Sequence, residues 1–203
     1  MAKKTQSPST PASPRPMVPA ALAQERIVEA TIELLRSTPF KDVTSKKIAD
    51  ATGLAVPTIH RNFGSMNGLF THVAMVLLLR ASDRGAELAL LDPEVALRAR
   101  MFDSDFMLRA KLVAWLIGEG VEPSLFHTPS MRSDVMPLFQ EHIHIKDERI
   151  ASAWLSLMLL IAEGYAIFAE AHKFTEQETT DGLALLAELR SRMPQVEKDI
   201  HWD

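Results

Sequence analysis

An all-α fold follows from three features of the sequence. Apolar residues recur at three- and four-residue spacing over most of the chain, no stretch alternates in the manner of a half-buried strand, and no segment repeats at a fixed period. Of 203 residues 47% are hydrophobic and only 8 are glycine, which is material for a helical core in one or two domains. The chain has no cysteine, which excludes a disulfide framework and thiolate metal sites.

Residues 1–19 are Pro, Ser, Thr and Lys with little to bury, and they lack the apolar core of a secretion signal. They read as a disordered tail on a cytoplasmic protein. Lys3, Lys4 and Arg15 within it have an alternative use as a basic arm trailing along DNA. From Ala20 a first helix is expected, with Ile27, Thr31, Leu34 and Leu35 on one face and Glu25, Glu29, Glu33 and Arg36 elsewhere, closed by Pro39 and Phe40.

The next stretch, TSKKIADATGLAVPTIHRNFGSMNGLF, reads as two short helices around a tight turn, followed by the start of a longer one. Thr44 is placed to cap the first, and Gly53 to end it in a left-handed backbone. Pro57 suits a first helical turn because it has no N–H to leave unsatisfied. The second helix, roughly 56–62, is about two turns long and marginal by itself in water. It must be clamped, as a helix that presents side chains to a partner is. This is the pattern of a helix-turn-helix, whose second helix enters the DNA major groove. Phe40, Val43, Ile48 and Phe63 are its expected small core.

Residues 69–79 are nearly all apolar and predict a helix buried where two domains meet. Helices over 94–102, 105–117, 131–145 (bent at Pro137), 147–171 and 176–193 follow, with a short turn at 123–126. The boundaries expected are a tail to residue 19, a helix-turn-helix domain over 20–68, a second helical domain over 69–193, to which the resemblance described below adds ligand binding and dimerisation, and a polar tail from 194. The apolar run from Ile150 to Ala169 has the length of a membrane span, but Glu163 falls well inside it, where a charge costs about 2.5–3.5 kcal/mol. Its apolar residues fall on two sides: Trp154, Met158, Ile161, Tyr165 and Phe168 on one, Leu155, Leu159, Ala162 and Ala166 on the other. A helix of this kind has two neighbours, and one of them can be another subunit.

The formal charge of −4 divides unevenly. Residues 1–66 hold nine Lys plus Arg against five Asp plus Glu, and the remainder holds thirteen against twenty-one. The end that carries the helix-turn-helix is the basic one, as expected if it meets phosphates and the rest does not.

Other constellations are weaker. Glu141 and His144 have the spacing of a helical metal-binding pair, but a di-metal site needs a second copy and two more carboxylates. His142 and His144 would point apart on a helix. His60, His72, His127 and His172 are scattered without a nucleophile or phosphate-loop motif beside them. No enzyme, cofactor or metal is therefore expected. Phe106, Met107, Trp115, Phe126, Phe139, Trp154 and Met158 are either plain core or the lining of an apolar ligand cavity, with Glu119, His127, His142 or Tyr165 as polar handles.

The array IVEATIELL followed by VTSKKIADATGLAVPTIHRNFGSMNGLF resembles the N-terminal domain of the tetracycline-repressor (TetR) family of bacterial transcription regulators. Thr44, Ile48, Ala49, Gly53, Thr58, Arg61, Phe63, Leu69 and Phe70 all fall in register. The resemblance implies a homodimer that sets one recognition helix into each half of a palindromic DNA operator, with a small-molecule effector acting through the second domain. It further implies a phosphate contact at Thr44 and a groove position at Thr58. His60 stands where a phosphate-binding tyrosine is usual, and Arg61 faces the backbone. Lys46, Val56 and Pro57 complete the expected DNA-binding set.

The chain also departs from that pattern. Ala55 and Val56 replace a Ser cap and a Lys, and Met66 and Asn67 replace a Lys and an acidic residue. Fewer phosphate contacts should follow, and with them weaker and less salt-sensitive DNA binding, while Val56 and Pro57 supply apolar contacts to thymine methyl groups. The alternative from another class is a helical small-molecule-binding protein or enzyme that keeps a degenerate helix-turn-helix.

Overall fold

Helix α1 (Ala20–Ser37) opens the computed structural model, which describes residues 19–89, 98–99, 101–127, 136–137, 140–141 and 144–200. It buries Ala23, Ile27, Val28, Thr31, Ile32 and Leu35. Thr31 is fully buried without an unmet polar group, because its hydroxyl donates to the Ile27 carbonyl one turn back at 2.6 Å. A 3₁₀ turn at Phe40–Asp42 leads into α2 (Ser45–Thr52) and α3 (Val56–Phe63). Then come α4 (Met66–Ala89), α5 (Ser104–Gly118), a 3₁₀ turn at Pro123–Phe126, α6 (Glu148–His172), α7 (Glu176–Ser191) and α8 (Met193–Asp199). There is no strand among the described residues.

The helix-turn-helix has no core of its own. One cluster runs from Ile27, Ile32, Val43, Ile48 and Ile59 through Leu69, Phe70, Val73 and Leu77 to Leu108, Leu112, Leu116 and Phe126. Val43 and Ile48 take the core places expected of them, while Phe40 and Phe63 are half-buried at its edge. Helix α4 is the shared wall: Leu69, Phe70, Val73, Ala74, Leu77, Leu78 and Ala81 are buried, with α1 to α3 against its start and α5 along its length. Polar links cross the same boundary. Arg36 of α1 donates to Asp105 of α5 at 2.5 Å, and Arg84 of α4 donates to both Asp105 (2.9 Å) and Asp103 (2.7 and 2.8 Å).

Helix α6 buries Ile150, Ala151, Trp154, Ala162 and Ala166, and leaves Leu157, Leu160, Ile161 and Phe168 exposed. By length and composition it is the one described helix apolar enough to cross a membrane. Its Glu163 is held by Arg109 of α5 at 3.2 Å, a buried guanidinium that accounts for a carboxylate in an apolar run. Where a polar tail was expected, α8 forms instead. Pro194 lies in its first turn, and Met193 and Val196 pack beside Trp154, Ile150 and Met136. The helices expected over 94–102 and 131–145 lie largely outside the described residues. His144 has a left-handed backbone (φ 54°), so Glu141 and His144 do not share one helix face.

Candidate nucleic-acid interface and an apolar groove

The geometry of α2 and α3 comes from short-range chemistry. Thr44 caps α2 by accepting from the Lys47 N–H at 3.3 Å. Gly53 ends the helix with φ 70°, its N–H bonded to the Ala49 carbonyl at 2.8 Å. Arg26 of α1 then reaches the Thr52 carbonyl at 2.8 Å, which binds the end of α2 to the first helix. Ala55 precedes α3 without a side-chain cap, as its methyl side chain dictates. The helix is held instead by Ile59, which is 1% exposed, and by half-buried Val56 and Phe63.

Glycine fixes the angle after α3. Gly64 has φ 74°, the Ser65 hydroxyl accepts from the Gly68 N–H at 3.0 Å, and α3 meets α4 at 67°. A Cβ on Gly68 would lie 2.3 Å from the Phe63 carbonyl oxygen. Only a glycine admits this approach without moving backbone.

Ile59 points inward, so Pro57, His60 and Arg61, at i, i+3 and i+4, make one exposed stripe. Thr58 flanks it half-buried, its carbonyl accepting from the Asn62 side-chain amide at 2.7 Å. Lys46 and Lys47 on α2 are exposed, as is Thr44. Among the described residues Lys46, Lys47 and Arg61 join no ion pair, whereas Arg36, Arg80, Arg84 and Arg109 are each paired to a carboxylate. The seven residues singled out for DNA thus all sit on α2, α3 or the cap between the helices and solvent. Lys47, not among them, is a further free cation beside Lys46.

The aromatic residues expected to line a cavity are placed differently. Trp115 is a wedge: its ring meets Phe40 edge-on at 6.1 Å and Phe70 at 5.7 Å, joining α5 to the reading head. Phe126 belongs to the same core. Phe106 is 1% exposed and packs with Ala81, Met101, Ala162 and Leu183. Trp154 and Met158 lie in the cluster that α8 closes, Met107 is half-buried, and Phe139 lies outside the described residues.

Among the described residues a groove of about 570 Å³ lies between α6 and α7, lined chiefly by Met101, Ile161, Tyr165, Phe168, His172, Phe174, Glu178, Thr179 and Leu183. Of the seven expected residues, the six that are described do not line it. Of the expected polar handles Tyr165 does, with its hydroxyl 3.3 Å from that of Thr179. Glu119 and His127 are exposed elsewhere. Tyr165 stacks on Phe174 at 6.4 Å and meets Phe102 edge-on at 5.8 Å, and Phe174 stacks in turn on His172 at 5.4 Å. Periodicity put Ile161, Tyr165 and Phe168 on one face of α6 but did not show the groove, because its other walls are His172 at the helix end, Phe174 in the loop and the non-aromatic residues of α7.

Two carboxylates frame the start of α5. Burial alone would raise the Asp103 carboxyl, but the Arg84 guanidinium and the N–H groups of Phe106 and Asp105 hold it below the usual range. Its hydrogen bonds hold the Arg84 guanidinium above its ordinary value in return.

Residues 27–73 match the model of the bacterial regulatory proteins, tetR family. No curated protein matches the chain.

Proposed function

We propose that the chain, whose residues 27–73 match the model of the bacterial regulatory proteins, tetR family, is a DNA-binding transcriptional regulator of that family and represses transcription as a cytoplasmic homodimer. In this reading each subunit sets α3 into one half of a palindromic operator, and a small, mostly apolar effector releases the complex. The observation that carries it is the exposed stripe Pro57, His60 and Arg61 on α3 together with exposed Lys46 and Lys47 on α2, whose three cations Lys46, Lys47 and Arg61 join no ion pair among the described residues. Cations left unpaired in this way can exchange counterions for phosphates. Pro57 at the leading turn, with Val56 behind it, offers apolar contact to thymine methyl groups. Thr44 is positioned to take a phosphate at the start of α2.

The partner surface is the outer side of α6 and α7. Leu160 and Leu185 are each 66% exposed, and Leu157 and Leu189 52%, large apolar side chains that a partner would take out of water. Two copies burying these faces against each other would form an isologous interface. An effector acts by binding the free and DNA-bound shapes with unequal affinity, and the ratio of those affinities sets the extent of release. The single core shared by the head and the body gives such a difference a route to α3.

The test is a gel shift with the DNA upstream of the protein's own gene, at low salt, using chain shown to be folded and dimeric. A retarded band that Arg61→Ala weakens is expected. No band sinks the repressor and leaves the helical small-molecule-binding protein. Leu160→Lys with Leu185→Lys should give folded monomers by analytical ultracentrifugation, and a dimer that persists would place the interface elsewhere.

A further inference from the structure

We propose that His60 makes DNA binding proton-dependent: its charged imidazole takes a phosphate on one wall of the major groove, and its neutral form does not. The inference rests on the regulator reading above and gives that regulator a second input, the pH.

The geometry of α3 carries it. Ile59, 1% exposed, holds the helix by its inner face, and Gly64 closes it with an N–H bonded to the His60 carbonyl at 2.8 Å. The backbone that bears the ring is therefore fixed. In an α-helix each residue turns by about 100° and rises by about 1.5 Å. With Pro57 toward the groove floor, His60 lies about 4.5 Å further along and about 60° to one side, and Arg61 about 6 Å along and about 40° to the other. A helix about 10–12 Å across fills a groove about 12 Å wide. Two exposed side chains that diverge by about 100° then reach opposite walls, and those walls are the two phosphate backbones.

The two contacts differ in kind. Lysine and arginine stay charged throughout neutral pH, whereas histidine is the side chain whose charge changes between about pH 5 and pH 8. The ring of His60 is exposed and makes no hydrogen bond, ion pair or ring contact among the described residues. On the helices packed against α3, the described charged and titratable groups outside ion pairs are Glu25 and Arg26 of α1, Lys46, Lys47 and Asp50 of α2, and His72 and Asp83 of α4. None of them bonds the ring: Arg26 is taken up by the Thr52 carbonyl at 2.8 Å, and His72 lies against Phe63 at 5.4 Å. A proton gained by His60 thus finds no protein carboxylate to answer it, and a DNA phosphate becomes its partner. A phosphate contact carries no sequence information, so the effect should be the same on any duplex.

The experiment is fluorescence anisotropy of the full-length protein at pH 6 and pH 8 and constant ionic strength, with two duplexes of equal length, the DNA upstream of its own gene and an unrelated sequence. Two subunits contribute, so both duplexes should bind at least about tenfold tighter at pH 6, with a salt slope steeper by about 2 per dimer. The slope due to Lys46, Lys47 and Arg61 alone is the one read at pH 8. His60→Gln keeps a hydrogen-bonding side chain without the charge and should reduce the pH effect to less than about twofold. His60→Lys should give the steeper slope at both pH values, and His72→Gln should keep the pH dependence of the parent. Upstream DNA that binds equally at pH 6 and pH 8, or a pH effect that survives His60→Gln, overturns the inference and leaves the regulator standing. A pH effect confined to the upstream DNA overturns the phosphate contact in favour of a base contact. Failure of both duplexes to bind at either pH overturns the regulator and this inference with it.

Discussion

Asp105→Ala should cut the polar link between reading head and body. The carboxylate is 6% exposed and accepts from Arg36 at 2.5 Å and from Arg84 at 2.9 Å. A hydrogen bond to a charged partner contributes about 1.5–3 kcal/mol, so two would cost roughly 3–6 kcal/mol if nothing replaced them. Replacement is available here. The side chains of Arg36 and Arg84 are 39% and 42% exposed, and they keep Glu33 at 2.7 Å and Asp103 at 2.7 Å. Water and the remaining carboxylates therefore recover about half the loss. The expected destabilisation is about 1.5–3 kcal/mol, and at roughly 2–4 °C per kcal/mol for a chain of this size Tm falls by about 3–12 °C.

The assay is urea and thermal unfolding of the parent, Asp105→Ala, Arg36→Ala and the double variant. The coupling between the two positions should be on the order of 1 kcal/mol. A second readout is functional. With the link cut, ligand-dependent change in operator affinity should shrink more than the affinity itself. Additive single variants, with a coupling indistinguishable from zero, would refute the claim that this pair ties the head to the body.

Four further outcomes can be checked. Gly68→Ala forces its new methyl against the Phe63 carbonyl, at a cost of about 1–3 kcal/mol, and operator affinity should drop with stability because the 67° turn after α3 opens. Arg61→Ala should weaken binding to specific and unrelated DNA by similar factors and lower the salt slope by about 2 per dimer. A titration from low to moderate salt should give a slope no steeper than about −5, since Lys46, Lys47 and Arg61 provide roughly six phosphate contacts in a dimer; a steeper slope would require contacts from the tail. Asp103, whose carboxyl is depressed below its ordinary 3.8, stabilises the fold fully above that pH and loses this contribution as pH falls through its lower folded value. Asp103→Asn, which retains a capping side chain, should flatten that acid limb in urea midpoints taken between about pH 5 and pH 2.5.

The helices and the reading head were legible in the chain because their signals are local. Thr44, Gly53, Pro57 and Ser65 act on backbone groups within four residues, and the spacing of Ile27, Thr31 and Leu35 needs no knowledge of what lies opposite. Ala55 announced an uncapped α3 for the same reason. The partner of an apolar or charged side chain is another matter, since it comes from elsewhere in the chain. Trp115 has the character of a ligand-facing ring, yet Phe40 and Phe70 enclose it, so it joins the two parts of one core. Asp105 meets Arg36 from 69 residues away, a separation that no periodicity encodes. The groove likewise exists only where α6 and α7 lie side by side, each contributing part of its lining. Sequence alone determined where the described helices from α1 to α7 lie, because hydrogen bonds and caps close over one turn, whereas α8 needed the packing of Met193 and Val196 beside Trp154 to be seen. Tertiary structure decided which rings fill the interior and which line a space, because that depends on how helices already formed are packed.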